Sequence, residues 1–158
     1  MSVAAQNGKQ SYVLLQVGNR RFALHSELVE ELAPPVRLHH FPQTTPLLAG
    51  VIVRRRRIVP VYDVARVLIG RESSVHRFYL VARRTFGKDN EASAIPVNGE
   101  CELVNAALVG PAPGDPGYFA GSLDLADEKI PVLKFEELVS APAARTGPAG
   151  QAASEVRL

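Results

Sequence analysis

Four consecutive arginines, Arg54 to Arg57, are the sharpest polar feature of this 158-residue chain. Adjacent cations repel each other and hydrate strongly, so they belong at a solvated turn. The chemistry open to such a turn is attraction of an anionic partner, either nucleic-acid phosphates or an acidic protein surface. Small β-proteins that bind single strands interleave aromatic side chains with the basic ones. No aromatic residue interrupts Arg54 to Arg57, and Tyr62 lies at the far end of the adjoining strand. Docking on protein is the preferred reading, and no nucleic-acid partner is expected.

Catalytic chemistry finds no constellation. There is no GxSxG, Walker or GxGxxG run. The carboxylate pairs Glu30-Glu31, Asp127-Glu128 and Glu136-Glu137 sit where solvated surface charge is ordinary. An acid/base pair would need desolvation and mutual geometry. His39 and His40 are adjacent, but no Cys, Asp or Glu stands nearby at ligand spacing. Cys101 is the only cysteine, so no internal disulfide forms, and a partly buried thiol is its simplest role. The chain is expected to be no enzyme and to hold no cofactor and no metal.

The elements around the arginines follow from residue type. Val51 to Val53 reads as a strand, since β-branched residues suit a pleated, half-buried surface. Ile58 to Tyr62 reads as its partner, with Pro60 marking an edge or bulge. Asp63 is placed to cap a short helix carrying Val64, Val67 and Leu68, and Gly70 ends it. The unit recurs at one offset of 71 residues. Ala49-Gly50 answers to Ala120-Gly121, Val59-Pro60-Val61 to Ile130-Pro131-Val132, and Val67-Leu68 to Leu138-Val139. Duplication is the preferred explanation. The basic tip then falls on Leu125 to Glu128, an acidic one, with Asp127 and Glu128 as candidate contacts.

Charge divides the same way. Residues 1–84 hold 13 Lys+Arg against 5 Asp+Glu, and residues 85–158 hold 5 against 11. A chain so divided suits an anionic partner at one end, or head-to-tail stacking on copies or relatives. No apolar run approaches the ~20 residues of a membrane span, and the first residues lack a signal-peptide core. A cytoplasmic protein without direct membrane contact is expected.

In order, residues 1–10 read as disordered. Tyr12 to Val17 and Phe22 to Leu24 form a hairpin about Gly18-Asn19. Ser26 to Leu32 reads as a helix, with Leu28, Val29 and Leu32 as its apolar stripe and Pro34-Pro35 as its stop. Val75 to Arg83, Ala92 to Val97 and Glu100 to Val104 read as strands, the last two separated by a turn or bend at Asn98-Gly99. A loop over 105–117 leads to the second hairpin and to a helical turn over 136–140. Residues 141–158 read as a flexible tail. Many short strands with few, short helices indicate small β-barrels.

From about Tyr12 to Ser140 the chain resembles the CheW-like domain. Four segments carry the resemblance. The first is Tyr12 to Leu24 with Val29-Glu30-Glu31-Leu32, similar to "V-x-E-I". The second is Gly50-Val51-Ile52 through Pro60-Val61-Tyr62-Asp63-Val64, similar to "GVxNLRGxxxPVxDL". The third is Ile95-Pro96-Val97-Asn98-Gly99, similar to "GxxVDGV". The fourth is Gly121-Ser122-Leu123 to Leu133 with Glu136 to Val139.

The resemblance implies an all-β fold with short helices, built of two packed five-stranded SH3-like barrels. The first barrel would span about 15–84, and the second about 85–140 plus the first strand. It implies a non-enzymatic adaptor that couples chemoreceptor tips to the regulatory domain of a CheA-type histidine kinase, at membrane-associated receptor arrays, and that also meets other CheW-like modules. The alternative is a divergent module of the same fold in a pilus or surface-motility pathway. The match places Arg55 on the arginine of NLRG and Glu31 on the family's glutamate, and keeps Gly50 and Val51. Val53, Arg54 and Arg56 depart from Asn, Leu and Gly. Without that glycine the turn is either rebuilt or strained at Arg56. Val29, Leu32, Leu48 and Val51 are candidates for an apolar partner groove, with plain core packing as their alternative.

Overall fold

The computed structural model describes residues 8–40, 47–71, 78–84 and 91–140. Residues 1–7 of the expected disordered start and the whole expected tail lie outside them, whereas Lys9 and Gln10, expected in that start, are strand, paired with Ala107 and Ala106.

Among the described residues, nine strands and two short helices follow in order: β1 (Lys9–Val17), β2 (Arg20–His25), β3 (Val29–Ala33), β4 (Leu48–Arg54), β5 (Arg57–Tyr62), α1 (Ala65–Leu68), β6 (Phe78–Arg83), β7 (Ala92–Ala107), β8 (Phe119–Leu125), β9 (Glu128–Leu133) and α2 (Phe135–Val139). A 3₁₀ turn, Ser26–Leu28, precedes β3.

Strand β7 serves two sheets. Its first half pairs with β6 (Phe78↔Val97 to Arg83↔Ala92) and, in parallel, with β5 at Val61↔Ala94. Its second half pairs with β1, from Leu14↔Glu102 to Lys9↔Ala107. The first sheet therefore runs β3-β6-β7-β5-β4, and the second β7-β1-β2-β9-β8. Each has five strands, and both arms of the first hairpin belong to the second sheet. Asn98-Gly99 lies at the changeover, where the ladder slips between Leu14 and Gln16 and Gly99 takes φ 67°. The two strands expected over 92–104 are one bent strand of 16 residues.

Neither sheet closes into a barrel among the described residues. The outer edge of β4 is met by His39, which exchanges both backbone hydrogen bonds with Val51 at 2.8 and 2.9 Å. Val109 does the same for β8 at Ser122, at 2.8 and 2.9 Å. Incoming chain thus covers edges that closure would otherwise remove.

Two further sequence expectations change. Residues 29–32 are strand, not helix: Val29, Glu31, Leu32 and Ala33 pair with Ala82, Val81, Leu80 and Tyr79. Glu and Leu favour helix weakly, and a ladder to β6 overrides that preference. Val64, not Asp63, is the N-cap of α1, and no side chain caps it.

The repeat is structural. β4 and β8, and β5 and β9, coincide end for end at the 71-residue offset. Each first strand slips once, at Leu48/Gly50 and at Phe119/Gly121. A Cβ at Gly50 would meet the His39 carbonyl oxygen, and one at Gly121 that of Val109. Both glycines are there for this close approach of backbone.

The largest core joins the sheets. Leu80, Ala82, Ile95 and Val97 of the first pack with Leu15, Val17, Phe22 and Leu24 of the second, and with Phe135 and Leu138 of α2. Ile52, Val59, Val61 and Val81 fill the first sheet's own core. Leu14, Leu123, Ile130 and Val132 fill the second's.

Candidate protein-binding surface

The pleat sorts the four arginines. In β4 and β5, Ile52 and Val59 point inward and are fully buried. Arg54 and Arg57, two residues along each strand and paired with each other, share that face. They reach the glutamates of β3. Arg54 Nε donates to Glu31 Oε2 at 3.1 Å, and its Nη2 donates to Oε1 at 2.7 Å. Arg57 Nη2 donates to Glu30 Oε1 at 2.8 Å. Arg55 Nε lies 3.6 Å from Glu31 Oε2, with its side chain 72% exposed. Arg56 has no partner among the described residues.

Planar two-point contact with a guanidinium is a strong form of carboxylate recognition. The hydrogen bonds from Arg54 hold the Glu31 carboxyl below its ordinary range, against the upward push of its burial. Glu31 keeps only 14% of its side chain exposed. The pair fastens the hairpin to β3 where no backbone ladder joins β3 to β4.

The turn itself is strained. Arg55 and Arg56 both lie in the left-handed region, at φ 52° and 68°. A side chain there crowds the backbone, which glycine avoids. Of the two outcomes open at the sequence level, strain at Arg56 is the one found.

The remaining candidates are spread over the molecule. Val29 and Leu32 are half-buried against the joint core. Leu48 and Val51 are half-buried along β4, and Gly50 is buried. Asp127 and Glu128 stand at the other hairpin tip, in the other sheet. Glu128 accepts from Arg21 Nη1 at 2.8 Å, and Arg21 Nη2 lies 3.6 Å from Glu102. Asp127 is exposed. Glu30, Arg21 and Glu102 complete these clusters and were not among the residues expected there. In the sequence Glu30 is only a carboxylate beside Glu31, since the local pattern of residues 26–32 is helical and hides the strand.

Burial pushes the Cys101 thiol up to about 11, so it stays protonated at neutral pH. Glu136 accepts from Arg84 Nε at 2.7 Å. Among the described residues no three His, Cys, Asp or Glu side chains gather to hold a metal. No described helix is long and apolar enough to cross a membrane.

Residues 11–85 match the family model described as CheW-like domain. Among solved structures, the scaffolding protein TtCheW from Thermoanaerobacter tengcongensis is similar, with a TM-score of 0.70 and 17% identity. The likeness covers 85% of this chain and 94% of that one. No match was found among curated proteins. The matched stretch contains β3, the arginine hairpin and every first-sheet candidate, from Val29 to Arg57. The chain is thus similar to the CheW-like domain in sequence over residues 11–85, and to TtCheW in fold over most of its length.

Proposed function

We propose that the chain is a non-enzymatic adaptor of a bacterial chemosensory pathway, coupling chemoreceptor tips to the regulatory domain of a CheA-type histidine kinase. The observation that carries this reading is the CheW-like match over residues 11–85, within which the glutamate–arginine cluster lies. Work of this kind needs two surfaces that neighbours can share, and the two sheets supply unlike ones. The first ends in Arg55 and Arg56, the second in Asp127. The protein is cytoplasmic in this reading and reaches receptor arrays through its partners, including other CheW-like modules. It binds no nucleic acid.

Within the cluster, Arg54 and Arg57 have internal partners and hold the hairpin in place. Arg56, and Arg55 with its side chain 72% exposed although 3.6 Å from Glu31, are the charges that face a neighbour. Exposed pairs contribute only ~0–1 kcal/mol each, so they select the partner while apolar contacts along Val29, Leu32, Leu48 and Val51 supply most of the affinity. The test is co-purification of the full chain with the regulatory domain of a CheA-type kinase encoded beside it. A complex on size exclusion supports the proposal. Free migration of both proteins at low salt contradicts it and favours a different partner, as in a pilus or surface-motility system.

A further inference from the structure

The two hairpins act as controls for each other. On the outward face of β4–β5 the cross-strand pairs are Val51 with Pro60 and Val53 with Ile58. At the matching places on β8–β9 stand Ser122 with Pro131 and Asp124 with Lys129. The inward residues are apolar in both hairpins: Ile52 and Val59 in one, Leu123 and Ile130 in the other. The fold therefore works with polar residues on the outer face, and folding alone does not call for Val53 and Ile58.

Both are nevertheless exposed, Val53 at 53% and Ile58 at 71%. They face each other directly and continue into half-buried Val51 and Pro60, so they form one strip rather than scattered single residues. The strip ends at Arg55 and Arg56. Arg56 holds a left-handed conformation that Asp127, its counterpart, does not adopt. Glu31 is held two-point by Arg54 and lies 3.6 Å from Arg55, whose side chain stays 72% exposed, while Arg56 has no carboxylate partner among the described residues.

We propose that the outward face of this hairpin docks an acidic protein segment, Val53 and Ile58 meeting its aliphatic side chains and Arg55 and Arg56 its carboxylates. Charge complementarity sets the acidity of the partner. The one ring on this face, Tyr62, stands at the end of β5 away from Arg55 and Arg56, half-buried against the joint core with Arg84 over it at 6.0 Å, so no ring stands beside the two cations for a base to stack on, which favours protein over a nucleic-acid strand. The proposal rests on the adaptor reading and narrows it to the chemistry of the partner.

The test titrates the ¹⁵N-labelled full chain with a short peptide of alternating Glu and Leu, with its Lys/Leu counterpart, and with a single-stranded oligonucleotide. Amide shifts confined to β4–β5, and given by the Glu/Leu peptide alone, are expected. Val53→Asp with Ile58→Lys installs the residues the second hairpin already carries. It should weaken the peptide by about tenfold or more and leave the remaining spectrum in place. Arg55→Gln with Arg56→Gln is the second variant, and should weaken it without touching the apolar strip. Absent shifts, equal shifts with the Lys/Leu peptide, or stronger shifts of the same amides with the oligonucleotide overturn the proposal. No kinase or receptor enters this titration, so its failure is separable from failure of the adaptor reading.

Discussion

Arg57 and Glu128 occupy the same place in the two repeats and carry opposite charge, yet each is tied back into its own half by an ion pair of 2.8 Å. Arg57 meets Glu30 of β3, and Glu128 meets Arg21 of β2. The duplicated hairpin has kept the device of fastening its tip while inverting its sign. What distinguishes the two ends is the charge turned to solvent: Arg56 and the largely exposed Arg55 at one, Asp127 at the other.

The arginines should separate by role. Arg55→Glu with Arg56→Glu should weaken kinase-domain binding in calorimetry and leave the melting temperature nearly unchanged. Arg54→Glu should lower the melting temperature, because it sets a second carboxylate beside Glu31. Equal melting losses for both would contradict the assignment.

The Glu31 pair predicts a pH dependence. Its folded-state pKa lies below the ordinary value of about 4.5, through Arg54 first. Its stabilisation is therefore fully present above that value and is lost as pH falls through the folded one. The stability gap between wild type and Glu31→Gln, measured by urea melts, should shrink on acidification below about pH 4.5. A gap independent of pH would show that the charge of Glu31 is not what matters.

The strained turn predicts a gain. Arg56→Gly removes a crowded Cβ from the left-handed region but adds freedom to the unfolded chain. The net expectation is stabilisation of about 0.5–1 kcal/mol in a denaturant melt. Loss of stability would mean that the arginine side chain holds the turn through contacts of its own.

The backbone cradles should fail alike. Gly50→Ala and Gly121→Ala each press a methyl group onto a carbonyl oxygen of the chain covering the strand edge. Each should cost on the order of 2 kcal/mol or more, by comparable amounts. A benign effect at either site would contradict the structural equivalence of the repeats.

The hairpins were legible because Val51 to Val53 and, apart from Pro60, Ile58 to Tyr62 are β-branched or aromatic and flank a polar turn, and because the second copy repeats the pattern. Residues 29–32 were not legible. Their ladder to β6 depends on residues about fifty positions away, while their local preference is helical. The internal partners of Arg54 and Arg57 were hidden for the same reason, standing 23 and 27 positions off in the chain. Asn98-Gly99 announced a bend, but only pairing on both sides shows one strand passing between two sheets.

The most direct test of the account is reconstitution of phosphorylation from a CheA-type kinase, receptor-containing vesicles and the full chain. The account predicts that receptor control over the kinase appears only when this protein is added, and weakens with Arg55→Glu plus Arg56→Glu. Receptor control that is equally strong without the protein, or absent with it, would contradict an adaptor role.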